Sequence, residues 1–188
     1  MAPSLDVVDW PVRTERLVLR RLADGDLPAI FAYRSLPQVA EWVGGRPDDL
    51  ETLTERFGNG ATAVIVEHEG VLIGDLMVAI QDGWGQREVV EKTVGVEAEL
   101  GWTFDPAYQG RGFATEAIRA LIGVCFDDLG LRRVVASCFV ANEPSWRLME
   151  RIGMRREAHN VADSLHRDRG WLDGYLYALF AEEWSRPV

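Results

Sequence analysis

A short glycine-rich segment, Gln109–Ala114 (Gln-Gly-Arg-Gly-Phe-Ala), has residue types that can hold a phosphate group. Gly110 and Gly112 have no Cβ, so the backbone can turn sharply there and a ligand can approach it closely. The segment precedes a helix-like run, and a helix N-terminus offers unpaired N–H groups and a positive dipole end to an anion. The spacing therefore predicts a phosphate-binding turn made of Gln109, Gly110, Arg111, Gly112, Phe113, Ala114 and Thr115.

A second group of helix-start residues follows the strand-like run 132–140. Asn142 can cap a helix, Pro144 suits the first turn, and Ser145 lies three residues after Asn142. Helix capping alone is one interpretation. The other applies if the strands 94–104 and 132–140 are neighbouring and parallel, because both helix N-termini would then emerge at the sheet edge where such folds bind ligands. The sequence leaves both interpretations open.

Several other catalytic and nucleotide-binding motifs are excluded by spacing. The turn lacks the third glycine of a dinucleotide fingerprint, and the chain has neither a P-loop lysine motif nor a Gly-x-Ser-x-Gly elbow. The three histidines are scattered and the two cysteines have no metal-ligand spacing, so we expect free thiols and no metal site. Free thiols are typical of a reducing compartment, and we expect the cytoplasm. These residues are His68, His159, His166, Cys125 and Cys138.

The elements that must position these groups alternate between strand and helix patterns. Apolar residues recur at helical spacing over 114–129, which predicts a helix packed along one face. No repeat or interdomain linker interrupts the pattern, so it predicts one mixed α/β domain over 1–188. The other predicted elements are strands at 14–22, 61–68, 71–80, 93–104, 132–140, 154–159 and 171–179, and short helices at 27–34, after Pro37, from Pro47 to Phe57 and over 144–151.

Composition and charge narrow the class of partner. The chain of 188 residues is 47% hydrophobic and 27% charged, as in ordinary globular proteins. It has no apolar run of about 18 residues, so we expect no membrane span. Residues 101–160 hold eight basic and seven acidic side chains, and the remainder holds 12 basic and 23 acidic ones. A nucleic-acid binder is therefore not expected. The acidic remainder either attracts a cationic partner or keeps the protein in solution.

Two motifs resemble those of the GCN5-related N-acetyltransferase (GNAT) superfamily. Gln109-x-x-Gly112-x-Ala114 is similar to its pyrophosphate-binding signature, and the segment from Asn142 to Met154 resembles its second cofactor motif. The segments 14–20 (Thr-Glu-Arg-Leu-Val-Leu-Arg) and 171–184 look like the RimJ/RimL branch. The resemblance covers residues 14–184, with a motif core at about 94–160. It implies a single GNAT domain whose mostly antiparallel sheet has six to seven strands, splays between two central parallel strands and carries helices on both faces.

The resemblance also implies a co-substrate, acetyl-CoA, that lies where the two parallel strands part. Main-chain amides of residues 110–114 would hold its pyrophosphate, and main-chain groups of Trp102, Thr103 and Phe104 would bind the pantetheine arm. Asn142 and Ser145 would contact the arm near its thiol. Arg111 and Arg147 either add charge near the phosphates or are solvated surface residues.

Acetyl transfer to an amine needs a base, because an ammonium group with a pKa of about 8 to 10.4 must lose its proton before it attacks. Strand alternation places Glu97, Glu99 and Gly101 on one face of the strand implied to bind the arm, so we favour Glu99 as the base, with Glu97 second. A solvated strand face is the alternative. Many family members have a proton-donating tyrosine where this chain has Met149, and a thioether cannot donate a proton.

The missing tyrosine leaves the proton donor for the departing thiolate open between Ser145 and a tyrosine of the last strand, Tyr175 or Tyr177. The last strands border the acceptor pocket in this family, so Asp163, Asp173 and Tyr175 are candidates for substrate binding, and His159 and His166 are weaker ones. The acceptor would be a peptide N-terminus or a small amine, and a homodimer is compatible with the sequence. The alternatives are a non-catalytic acyl-CoA sensor, or transfer of a larger acyl group to an aminoglycoside-like molecule.

Overall fold

The computed structural model describes residues 3–45, 49–58 and 62–184. That part of the chain contains eight β-strands: β1 (Val12–Arg13), β2 (Val18–Arg21), β3 (Ala63–His68), β4 (Val71–Gln81), β5 (Glu97–Phe104), β6 (Arg133–Phe139), β7 (Arg155–His166) and β8 (Gly170–Phe180). They form one sheet in the order β1-β2-β3-β4-β5-β6-β8-β7. The two-residue strand β1 makes the count eight rather than six to seven, because so short a segment shows no alternation in the sequence.

The sheet is mixed, as predicted. β5 and β6 are paired in parallel, in the register Glu97–Arg133, Ala98–Val134 and Glu99–Val135. The pairs β1–β2, β2–β3, β3–β4, β6–β8 and β7–β8 are antiparallel. A parallel pair needs a crossover connection, and the chain between β5 and β6 forms a helix there. The strands that precede the two candidate motifs, β5 and β6, are therefore parallel neighbours, as the ligand-binding interpretation requires.

The described helices are α1 (Leu27–Arg34), α2 (Pro37–Ala40), α3 (Leu50–Phe57), α4 (Phe113–Gly123) and α5 (Glu143–Arg151). We predicted that the fourth helix would run unbroken to Leu129, but a π-helical turn takes over at Val124–Asp128. Asp49 caps α3 by accepting from the Thr52 N–H at 2.8 Å, while Pro47 and Asp48 lie outside the described residues. No helix in the described part is long and apolar enough to cross a membrane.

Contact density divides the chain into two compact units. We call residues 5–78 and 101–121 the glycine-turn unit, and the described residues 3–4, 79–100 and 122–184 the hairpin unit, after the β7–β8 hairpin. Strands β4 and β5 contribute residues to both units. The expectation of a single domain over 1–188 stays a prediction.

The core of the glycine-turn unit packs α1 and α3 on the sheet. Ile30, Leu53 and Ile65 are fully buried there. A buried charge lies beside them: Asp75 accepts from the Tyr33 hydroxyl at 2.5 Å and from Arg34 Nε at 2.9 Å. Burial and the nearby Asp75 charge raise the pKa of Tyr33, so this hydroxyl stays protonated and keeps donating. Every polar atom of the buried carboxylate thus has a partner that compensates for lost water.

The hairpin unit combines β6, β8 and β7 with α5. Val134 and Ala136 of β6 are fully buried, and so is Tyr177 of β8. The antiparallel registers place Cys138 opposite Tyr175 and Tyr175 opposite His159, so these three residues form one row across the strands. Since side chains alternate between the two faces of a strand, residues that are directly paired share a face.

Candidate functional site

The glycine turn has the conformation that the sequence predicted. Gly110 and Gly112 have φ angles of +73° and +82°, in the left-handed region that favours glycine. A Cβ at Gly110 would meet no atom within 4 Å, so the turn is open at that point. None of the main-chain N–H groups of residues 110–114 donates to an acceptor in the described part of the chain. The turn therefore presents unpaired donors at the start of α4, which suits an anion.

Aromatic rings and guanidinium groups surround the turn. Phe113 is 2% exposed, and both Arg16 and Arg111 lie over its ring, each with Cζ 4.7 Å from the centroid. Arg111 also lies 5.9 Å from the Tyr108 ring, and no carboxylate among the described residues forms an ion pair with it. Arg111 is thus a cation that is available to an anion at the turn. The Arg16 contact was not predicted from the sequence.

The three predicted arm-binding residues lie at the end of β5. Thr103 and Phe104 are buried, and Trp102 is half-buried. A Cβ at Gly74 of β4 would lie 2.8 Å from the Thr103 main-chain oxygen and 2.6 Å from the Phe104 ring. Only glycine allows this close approach, so Gly74 fixes the position of the β5 backbone.

The two glutamates of β5 differ in their partners. Glu97 accepts from Arg133 Nη1 at 2.8 Å and lies 3.5 Å from Arg132, so two cations hold it. Glu99 accepts from neutral donors instead, the Ser137 hydroxyl at 3.1 Å and the Gln81 amide at 3.4 Å. No cation among the described residues forms an ion pair with Glu99, so its carboxylate differs from that of Glu97 in having only neutral partners.

Asn142 and Ser145 begin α5, but not in the way that capping alone requires. Asn142 occupies the N-cap position, yet its side chain makes no capping hydrogen bond. The main-chain N–H of Ser145 instead donates to the Asn142 carbonyl at 3.1 Å. The Ser145 hydroxyl is hydrogen-bonded to Cys138, whose pKa burial raises to about 11. Arg147 forms an exposed ion pair with Glu143 at 2.8 Å, one helical turn away.

The predicted acceptor residues lie on the β7–β8 hairpin. Asp173 accepts from the Ala162 N–H at 2.9 Å and is bonded to His159 Nε2 at 2.7 Å. These bonds hold the pKa of Asp173 below its ordinary value, the Ala162 bond contributing most. Asp163 accepts from the Ser164 hydroxyl at 2.7 Å. The sequence did not predict the His159–Asp173 pair, because nothing in the spacing of 14 residues signals it.

Tyr175 lies at the centre of an aromatic group. Its ring meets the His159 ring at 5.1 Å and the Trp146 ring at 6.2 Å, both edge-on, and Arg156 lies 4.5 Å from its centroid. Two residues further, the Tyr177 hydroxyl donates to Glu150 at 2.9 Å, and burial together with Glu150 raises the pKa of Tyr177 to about 12.

Met149, His166 and Cys125 are buried, and Cys138 is half-buried. Met149, at the position of the family tyrosine, is fully buried. His166, a weaker candidate for substrate binding, is 3% exposed and packs against Phe139. Cys125 and Cys138 are free thiols. The described residues contain no group of three or more His, Cys, Asp or Glu side chains that could hold a metal ion.

Comparisons with known proteins give one family. The sequence model of the "Acetyltransferase (GNAT) domain" matches residues 16–155. The uncharacterized N-acetyltransferase YnaD of Bacillus subtilis (strain 168) is 32% identical over 180 residues, which are 93% of this chain and 99% of that protein. A solved GNAT-family acetyltransferase from Bacillus anthracis has a TM-score of 0.78 at 30% identity, covering 92% of this chain and 99% of that one.

A more distant solved structure shares the fold. RimL, a ribosomal L7/L12 alpha-N-protein acetyltransferase in complex with coenzyme A, has a TM-score of 0.73 at 18% identity. The alignment covers 90% of this chain and 97% of that one.

Proposed function

Because the chain belongs to the GNAT acetyltransferase family, we propose that it moves an acetyl group from acetyl-CoA to a primary amine. The glycine turn is the observation that carries this proposal. Its unpaired N–H groups, its open surface at Gly110 and the available cation of Arg111 suit the pyrophosphate of coenzyme A. RimL, which shares the fold, was solved with coenzyme A bound.

The rest of the donor would be bound along β5. We assign the pantetheine arm to main-chain groups of Trp102, Thr103 and Phe104, on the resemblance of this strand to the family's. Asn142 and Ser145 are assigned to the thiol end on the same ground, and the free side chain of Asn142 supports that role over capping. Arg147 is assigned to the phosphates on the same ground, although Glu143 already pairs with it.

The reaction requires a neutral amine, a bound oxyanion and a proton for the leaving thiolate. The amine nitrogen attacks the thioester carbonyl carbon, and its proton passes to Glu99, which only neutral donors hold. Main-chain N–H groups at the end of β5 would stabilise the oxyanion. The C–S bond then breaks, and the thiolate takes up a proton. The candidate donors are the Ser145 hydroxyl, which is hydrogen-bonded to Cys138, and the Tyr175 hydroxyl, while the Tyr177 hydroxyl already donates to Glu150.

The acceptor is assigned to the hairpin through Asp163, Asp173 and Tyr175. Carboxylates and an aromatic face both attract a protonated amine before it reacts. A peptide N-terminus or a small cationic amine in the cytoplasm fits this chemistry, and a homodimer is compatible with it. Transfer of a larger acyl group to an aminoglycoside-like acceptor is the alternative reaction for the same site.

A non-catalytic acyl-CoA sensor is the competing function, and one observation favours it. Met149 is fully buried where many relatives have a tyrosine that can donate a proton. A thiol-release assay with acetyl-CoA and a panel of peptide N-termini, polyamines and aminoglycosides separates the two. We expect turnover with at least one amine. Binding of acetyl-CoA without turnover on any amine would support the sensor.

Donor binding is tested by Gly112→Trp with calorimetry of acetyl-CoA. The bulky side chain would cover the unpaired N–H groups, so we expect affinity to fall at least about tenfold, or about 1.4 kcal/mol. Gly130→Trp is the matched control, since Gly130 also has a positive φ, +65°, and nothing within 4 Å of an added Cβ. Unchanged affinity in Gly112→Trp would overturn the assignment of the turn.

A further inference from the structure

The side chains of Thr14 and Arg16 both bind Glu116, whose carboxylate lies in the first turn of α4. Glu116 accepts from the Thr14 hydroxyl at 2.6 Å, from the Arg16 main-chain N–H at 2.9 Å and from Arg16 Nε at 2.7 Å. Burial acts to raise the pKa of Glu116, but these bonds outweigh it and hold the pKa below its ordinary value. Glu116 is therefore a charged anchor that fixes the Arg16 side chain.

Arg16 in turn lies against the glycine turn and contacts Arg111 and Phe113. Its Nη1 donates to the Arg111 main-chain oxygen at 3.0 Å. Its Nη2 lies 3.4 Å from the position of a Cβ on Gly112, and its Cζ is 4.7 Å from the Phe113 ring. The guanidinium holds Glu116 through Nε and Nη2 and the turn through Nη1, whereas a lysine has a single nitrogen from which to reach both.

The bond to Arg111 has a geometric consequence for the turn. The Arg111 carbonyl and the Gly112 N–H belong to one planar trans peptide, so they point in opposite directions. Because Arg16 binds the carbonyl, the Gly112 N–H is aimed away from Arg16. That N–H is one of the donors with no acceptor in the described part of the chain.

The positive charge of Arg16 is already compensated by an ion pair with Glu116. Glu116 pairs with Nη2 at 2.6 Å, whereas Arg111 beside it has no carboxylate partner among the described residues. An anion at the turn would therefore be attracted by the charge of Arg111, while Arg16 would orient the N–H groups that bind it.

We propose that Arg16, anchored by Glu116 and Thr14, is a positioning residue. It orients the main-chain N–H groups of the glycine turn toward the pyrophosphate of acetyl-CoA. The inference rests on the proposed function. It predicts that loss of Arg16 weakens the binding of acetyl donors that carry a pyrophosphate and leaves the binding of acetyl donors without one unchanged.

The test compares three acetyl donors: acetyl-CoA, acetyl-dephospho-CoA and S-acetylpantetheine. In Arg16→Met we expect KM for the first two to rise about tenfold, the loss of one or two hydrogen bonds, while kcat stays within about twofold. With S-acetylpantetheine, which has no pyrophosphate, kcat/KM should stay within about twofold of the wild type. Arg16→Lys should behave like Arg16→Met, and it covers the case in which the methionine variant fails to fold.

Arg20→Met is the matched control. Arg20 also holds carboxylates, Asp26 at 2.6 Å and Glu67 at 2.7 Å, but does not touch the turn. It should not change the ratio between the donors. An equal loss on all three donors in Arg16→Met and Arg16→Lys, or no loss, would overturn the inference. If the wild type binds neither acetyl-CoA nor dephospho-CoA in calorimetry, the proposed function itself fails.

Discussion

The glycine-turn unit and the hairpin unit hold their candidate groups in contrasting ways. In the glycine-turn unit the donors are main-chain N–H groups, fixed by charged side chains whose own bonds are complete, as around Glu116. In the hairpin unit the candidates are side chains themselves, and the paired His159 and Asp173 side chains are 49% and 37% exposed. A main-chain site recognises what many ligands share, whereas exposed side chains can change without disturbing the fold. Under the proposed function, the first unit recognises the pyrophosphate of the acetyl donor and the second unit selects the acceptor.

The largest expected effect tests whether side chains of the hairpin unit carry the chemistry. Glu99→Gln removes the proposed base, so we expect kcat/KM to fall about 10²- to 10⁴-fold. The pH optimum should rise, because the reaction would then depend on amine that is already neutral. A pH–rate profile measures both.

Glu97→Gln separates the two glutamates of β5. The ion pairs of Glu97 with Arg133 and Arg132 make it a stabilising group, so its loss should leave the shape of the profile unchanged. A profile that moves in Glu97→Gln and not in Glu99→Gln would reverse their roles.

The second effect tests how much the buried ion pair of Arg34 and Asp75 stabilises the glycine-turn unit. Asp75→Ala leaves Arg34 buried without its carboxylate, so we expect the free energy of unfolding to fall by about 3–5 kcal/mol. Urea unfolding followed by tryptophan fluorescence measures it. Tyr33→Phe, which removes one donor and keeps the ion pair, should cost less. Equal losses in the two variants would mean that the ion pair contributes little.

The smallest effect belongs to the exposed pair of the hairpin unit. The pKa of Asp173 is lower in the folded chain than its ordinary value of 3.8, so its stabilising contribution is present above pH 3.8 and is lost as pH falls through the folded pKa. Asp173→Asn should therefore lower the urea midpoint slightly at neutral pH and match the wild type in strong acid. A difference that grows toward low pH would contradict this sign.

The sequence predicted the glycine turn and the strands β5 and β6 because each depends on a local pattern, whereas the parallel pairing of the two strands was implied only by the resemblance to the family. The positive φ of Gly110 and Gly112 follows from the residue type, and the alternation of β5 and β6 follows from buried residues such as Ala98 and Val134. The π-helical turn at Val124–Asp128 could not be predicted, since its apolar spacing is that of an ordinary helix.

The side-chain partners could not be predicted, because they join positions far apart in the chain. Arg16 and Glu116 are 100 residues apart, and Glu99 and Ser137 are 38 apart. No local period records such a contact. The burial of His166 was missed for a related reason, since only packing against Phe139 distinguishes it from a loop histidine.

The openness of the glycine turn has a further consequence under the proposed function. The turn would bind the pyrophosphate, a part that acetyl-CoA shares with the free CoA left after transfer. Free CoA would then compete with acetyl-CoA for the same main-chain N–H groups of residues 110–114. Turnover in the cell would follow the ratio of acetylated to free CoA rather than the amount of acetyl-CoA alone, and product inhibition would couple acceptor acetylation to the acetyl supply.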